Sequence, residues 1–91
     1  MQFSFEIGER EKNTVHFHFN QLFGQTKIAV NGREIRRTRR LFSEPLRDEF
    51  EFTVGENEPF LVRIEKERRL LIASRYRVFI NRRLLAVHQG P

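Results

Sequence analysis

The sequence contains no cysteine. Disulfides, thiolate metal sites and cysteine nucleophiles are therefore excluded together, and packing alone must hold the fold. Long apolar runs are missing as well: nowhere do about 18 apolar residues follow one another, so no membrane-spanning helix and no membrane partner is expected. The opening MQFSFEI carries Gln2 and Glu6 in place of the basic start and apolar stretch of a secretory signal, which points to a cytoplasmic location. Helical periodicity is also lacking, since no window places apolar residues at i, i+3, i+4 and i+7. The 91 residues are too few for two separately buried cores, so one domain spanning 1–91 is expected.

What the sequence does have is phenylalanine and alternation. Ten Phe and one Tyr offset the poor surface-to-volume ratio of a small domain, because full burial of a Phe contributes about 1.5–3 kcal/mol. Apolar residues recur at every second position, the pattern of half-buried strands. Eight short strands follow from it. Phe3, Phe5 and Ile7 share one face of the first; Val15, Phe17 and Phe19 one face of the second. Ile28 and Val30 begin the third, which turns at Asn31-Gly32, a pair suited to the positive φ angles of a type I′ hairpin. The fourth runs from Arg33 into RRTRRLF. Continued alternation would place Arg37 and Arg39 on the face of Ile35, and two unpaired guanidiniums there predict an edge strand, a bulge or an early end.

The second half repeats the first. FSFEIGE at 3–9 returns as FEFTVGE at 50–56, and IAVNGREI at 28–35 returns as VFINRRLL at 78–85. The copies span approximately 2–42 and 49–88, joined near Pro45. Phe50, Phe52 and Val54 line the fifth strand, and Phe60, Val62 and Ile64 the sixth. Tyr76, Val78 and Ile80 line the seventh, and Leu85 and Val87 the eighth. Arg82 stands where the first copy has Gly32, which predicts a turn of another type or a strained one. Two four-strand halves in one domain are most simply an antiparallel β-sandwich of two facing sheets, with a small closed barrel as the alternative.

With the hairpins placed, Val15-His16, KIAVNGRE at 27–34, Leu41-Phe42, FTVG at 52–55, Val62-Arg63-Ile64 and YRVFIN at 76–81 form an ordered set. In this set the chain resembles the Fas apoptotic inhibitory molecule family of small all-β proteins. It departs from that family at Arg40, where the family has a tryptophan, and at Arg82, where it has a glycine. It also has one unit where familiar animal members have two, so an animal cell-death role is not implied. What the resemblance implies is a non-enzymatic β-sandwich working through protein contacts, in a family associated with cell survival and resistance to aggregation. No catalytic residue and no cofactor come with it.

Four constellations carry chemistry. His16 and His18 lie two apart on a strand and share a face opposite Phe17 and Phe19, but a metal site needs further ligands, and His88 falls in an expected loose C-terminal segment. Ser4, Ser43, Ser74 and the threonines show no nucleophile setting, and the pairs Asp48-Glu49 and Glu56/Glu58 sit beside predicted turns, so no enzyme is expected. Arginines supply most of the basic side: Lys+Arg exceed Asp+Glu by 17 to 12. The clusters Arg36, Arg37, Arg39, Arg40 and Arg82, Arg83, with Arg68-Arg69 and Arg75/Arg77 between them, are candidate polyanion or partner contacts. Phe23, Phe42 and Phe79 are the phenylalanines outside the expected core face that could stack on bases. The function expected is a protein-interaction or aggregation-protecting module with an unknown protein partner; the alternative is an arginine-mediated RNA or DNA binder. Arginines on edge strands discourage edge-to-edge pairing and predict a monomer.

Overall fold

The computed structural model describes residues 1–39, 46–69 and 73–90. It is all-β, with eight antiparallel strands in two four-stranded sheets; among the described residues there is no helix and no closed barrel. The first sheet is an up-and-down meander of β1 (Gln2–Ile7), β2 (Asn13–Asn20), β3 (Gln25–Val30) and β4 (Arg33–Arg39). The second repeats it with β5 (Arg47–Val54), β6 (Phe60–Arg68), β7 (Ser74–Ile80) and β8 (Arg83–Gly90). Each sheet belongs to its own compact unit, Met1–Glu44 and Pro45–Pro91. The expected link at Pro45 and the Leu41-Phe42 step lie outside the described residues.

Alternation produces a buried face in each sheet, because side chains two apart project the same way and directly opposed residues share a face. In the first sheet the central row is Phe3, Phe17, Ile28 and Arg36. Phe17 and Ile28 are fully buried, and Phe3 stacks on Phe17 with ring centroids 4.9 Å apart. The corresponding row of the second sheet is Phe50, Ile64, Val78 and Ala86, of which Ile64 and Val78 are fully buried. The register thus reproduces the internal repeat row for row. Phe5, Phe52 and Phe60, which the alternation places in the core, are half-buried.

The edge strand and the bulge expected at β4 are both present, whereas the reading of β8 and of the tail at His88 needs correcting. A bulge lies between Ile28 and Ala29 on β3 and their partners on β4: Ala29 faces Glu34 and Ile28 faces Arg36, leaving Ile35 as the extra residue. The extra residue shifts the alternation by one, so Arg36 and Thr38, not Arg37 and Arg39, share the Ile28 face. β4 is an edge strand that carries the bulge and still continues to Arg39. The same bulge recurs in β8, where Leu85 is extra and Ala86 and His88 take the core-facing positions. Leu85 and Val87, read as core, are therefore exposed. His88 is not in a loose tail: it is half-buried in β8, opposite Tyr76.

The two β3–β4 and β7–β8 turns have the same shape. Asn31 and Gly32 have φ of 52° and 81°, and Asn81 and Arg82 have φ of 48° and 70°. Positive φ at both central residues defines the type I′ turn that matches strand twist. Arg82 therefore adopts the glycine conformation and carries its strain, rather than changing the turn type. Left-handed φ costs an L-residue about 1–2 kcal/mol, partly offset by the extra unfolded-state entropy of glycine. Arg82→Gly is expected to stabilise the protein by about 0.5–1 kcal/mol. Gly32→Arg is expected to destabilise it similarly, since a Cβ at Gly32 would meet no atom within 4 Å and only the backbone cost remains. Urea denaturation midpoints of the two variants check both signs.

Candidate functional site

Strand β4 sends its arginines to two faces. On β4, Arg36 is half-buried on the core-facing side, while Arg37 and Arg39 are exposed on the opposite, outward face. Arg82 and Arg83 are exposed at the β7–β8 hairpin of the second unit. Arg40 lies outside the described residues. Arg37 donates from Nε to Glu34 Oε1 at 2.9 Å, so part of its charge is matched.

The outward face of the first sheet is organised by register. Gln2, His18, Lys27 and Arg37 form one row across all four strands, and Asn20, Gln25 and Arg39 form the next. His18 and Lys27 were not joined to the arginines in the sequence; only strand pairing brings them beside Arg37. His18 titrates below its ordinary value of 6.5, first because burial penalises the imidazolium and then because the N-terminal ammonium, Lys27 and His16 repel it. His16 and His18 share this face as expected. Among the described residues no group of three or more potential metal ligands occurs.

A neighbouring row holds Ser4 opposite His16, and Ser4 Oγ lies 2.5 Å from His16 Nδ1. This serine–histidine pair was not legible in the sequence, because the two residues are twelve apart and meet only through antiparallel pairing. Among the described residues no carboxylate is hydrogen-bonded to the other ring nitrogen, and Ala29 occupies the next position of the row. The pair lacks the orienting acid that would activate a serine.

The outward face of the second sheet is differently composed. Glu67 is surrounded by Arg69 at 3.0 Å, Arg77 at 3.6 Å and Arg47 at 3.8 Å. The hydrogen bond from Arg69, reinforced by the other arginines and opposed by desolvation, holds Glu67 below its ordinary carboxylate value. Arg63 lies over the Phe79 ring, 4.5 Å from its centroid, which covers one of the phenylalanines considered for base stacking. Its Nε is 3.3 Å from Glu65 but not aligned for a hydrogen bond. A cavity on this sheet is lined by Arg47, Asp48, Glu49, Glu65, Lys66, Glu67 and Arg77, four acids against three bases, so its charges are matched within the cavity.

The core-facing side of the second sheet holds a further row that the sequence did not reveal: Asp48, Lys66, Tyr76 and His88. Lys66 is 4% exposed and Tyr76 fully buried. Each of the four is engaged in an interaction, as buried polar groups require. The first sheet has Phe19, Thr26 and Thr38 in that place. The signal that could have found the row is the break in alternation at Lys66, two residues after Ile64.

No protein-family model, curated protein or solved structure matches the chain. The site is therefore defined by its own geometry.

The lowered titration of His18 has a consequence for stability. Above about pH 6.5 His18 is neutral in both folded and unfolded chains; as pH falls below this, the unfolded chain takes up the proton first. Stability from this group is full above that pH and declines below it until folded His18 also titrates. His18→Gln is expected to reduce the slope of unfolding free energy against pH below about 6.5, and urea titrations from neutral pH downward measure it.

Proposed function

We propose that this chain is a non-enzymatic β module acting through protein contacts, and that its contact strand is β8. The observation that carries this reading is the exposure of three large apolar side chains on one edge strand: Leu84 at 56%, Leu85 at 52% and Val87 at 47%. In the first copy the same register positions are Glu34, Ile35 and Arg37, two of them charged. An edge strand presents unpaired N–H and C=O groups, and native proteins commonly defend it with charge. β4 is defended in that way; β8 is not.

The occupant we infer is an extended, acidic-flanked apolar segment of another protein, adding as a further strand along β8. Main-chain hydrogen bonds would supply affinity, and alternate side chains would rest against Leu84 and Val87. Arg82 and Arg83, exposed at the hairpin end of β8, favour an acidic flank over a basic one. Capture of exposed apolar strands is also how such a module would protect other chains against aggregation. The resemblance to the Fas apoptotic inhibitory molecule family supports the same reading.

The probe is an extended synthetic peptide of alternating valine and threonine with glutamates at both ends. Its addition is expected to shift and slow the exchange of amide signals of Leu84 to Gln89 in NMR spectra. Leu84→Ser with Val87→Ser is expected to weaken binding at least tenfold at an unchanged melting temperature. Peptide binding indifferent to those substitutions, or sedimentation showing that β8 is instead occupied by a second copy of the chain, would overturn the assignment.

A further inference from the structure

The two sheets share one register, so outward positions of one can be set against those of the other, Arg47 alone of the residues below having no counterpart. In the second sheet the two rows farthest from the β7–β8 hairpin are Glu49, Glu65, Arg77, Val87 and Arg47, Glu67, Arg75, Gln89. Three acids there face three bases. The first sheet has Gln2, His18, Lys27, Arg37 and Asn20, Gln25, Arg39 in these rows. Gln2, His18 and Asn20 stand where the second sheet has its three acids; Lys27 keeps the charge of Arg77, Gln25 replaces Arg75, and Arg37 and Arg39 add charge where the second sheet has Val87 and Gln89.

The acids on this face, Glu6 and Glu34, belong to rows nearer the β3–β4 hairpin. Glu34 pairs with Arg37, whereas among the described residues no ion pair involves Lys27 or Arg39. Positive charge is thereby concentrated at the end where β2 turns into β3. That turn presents Phe23, 48% exposed. Asn20 Oδ1 accepts from the backbone N–H groups of Leu22 at 3.0 Å and Phe23 at 3.4 Å, which fixes the turn beside the cations.

We propose that the outward face of the first sheet binds single-stranded nucleic acid, with Lys27, Arg37 and Arg39 neutralising phosphates and Phe23 stacking on a base. Arg37 and Arg39 stand roughly 6.6 Å apart along β4, twice the rise of a strand, and Lys27 lies directly across from Arg37. Gln2, Asn20 and Gln25 offer amide donors and acceptors between the charges, suited to phosphate and sugar contacts. A cationic surface with an adjoining aromatic is the chemistry of sequence-tolerant single-strand binding. The residues named here all belong to the first sheet, whereas β8 belongs to the second.

The test is fluorescence anisotropy with a labelled oligo-dT longer than the ~4–16 nucleotides of common single-strand sites, in about 50 mM salt. Binding is expected, with log affinity falling against log salt at a slope near about −2 for three phosphate contacts. Lys27→Gln, Arg37→Gln and Arg39→Gln together are expected to lose at least tenfold in affinity and flatten that slope. Lys27→Arg, Arg37→Lys and Arg39→Lys together should retain it. Phe23→Ala is expected to weaken oligo-dT binding about tenfold while inorganic polyphosphate, used as competitor, binds as before. Gln25→Glu, which adds one acid beside Arg39 at an outward position, should weaken binding without altering the melting temperature. Absence of binding at that salt, or unchanged affinity in the neutral triple variant and in Gln25→Glu, would overturn the site. Duplex DNA bound as tightly as oligo-dT, with Phe23→Ala silent, would overturn the single-strand assignment.

Discussion

Each sheet depends on an asparagine that ties a hairpin turn to the neighbouring strand outside that hairpin. Asn31 donates its backbone N–H to Thr14 O at 2.8 Å and accepts the Thr14 N–H on Oδ1 at 2.8 Å. Asn81 does the same with Leu61, at 2.8 and 2.9 Å. A side chain thus completes the ladder where the backbone has already begun to turn, and β3 and β7 are locked in register against β2 and β6. A slip of one residue would move every core side chain to the outward face. The apolar rows, the bulges and the composition of both outward faces all follow from that fixed register. The φ of 52° and 48° at these residues is tolerated because asparagine is among the side chains that enter the left-handed region.

Strand number, the hairpins and most of the core were legible in the sequence, because period-two alternation and the Asn-Gly pair act locally; the strand order within each sheet was not. Phe17, Ile28, Phe50, Ile64 and Val78 are buried as the alternation required. β4 and β8 were only partly legible. Their bulges follow a turn and insert one residue, so Ile35 and Leu85 displaced the faces that plain alternation assigned. Arg82 was legible as a change that would either alter the turn or strain it, and the turn kept its shape with Arg82 at a φ of 70°, its Asn81 tied to Leu61 as Asn31 is to Thr14.

Sites were far less legible than strands. The arginine cluster at 36–39 reads as one patch along the chain, yet a strand sends its members to two faces and a bulge decides which. Conversely, His18, Lys27 and Arg37 are spread over twenty residues and form one row, as do Asp48, Lys66, Tyr76 and His88 over forty-one. Cross-strand rows are set by pairing, which a single sequence does not display. The internal repeat supplies the comparison that a lone sheet could not: positions shared by both copies maintain turns and core, whereas the outward rows and β8 diverge in charge and polarity. Function, on this account, resides in the divergence.

Grafting the second copy's outward acids onto the first separates the two roles most directly. Gln2→Glu, His18→Glu and Asn20→Glu place in β1 and β2 the residues that stand at Glu49, Glu65 and Glu67. None of the three lies on a core-facing position; Gln2→Glu would oppose His18→Glu as Glu49 opposes Glu65, and His18→Glu would face Lys27 directly across the sheet. The measurement is the melting temperature of this variant together with its oligo-dT affinity at low salt. The account predicts a melting temperature unchanged or raised and binding abolished. A cooperative fold lost on grafting, or binding that survives it, would contradict the claim that shared positions build the sheets and divergent ones serve function.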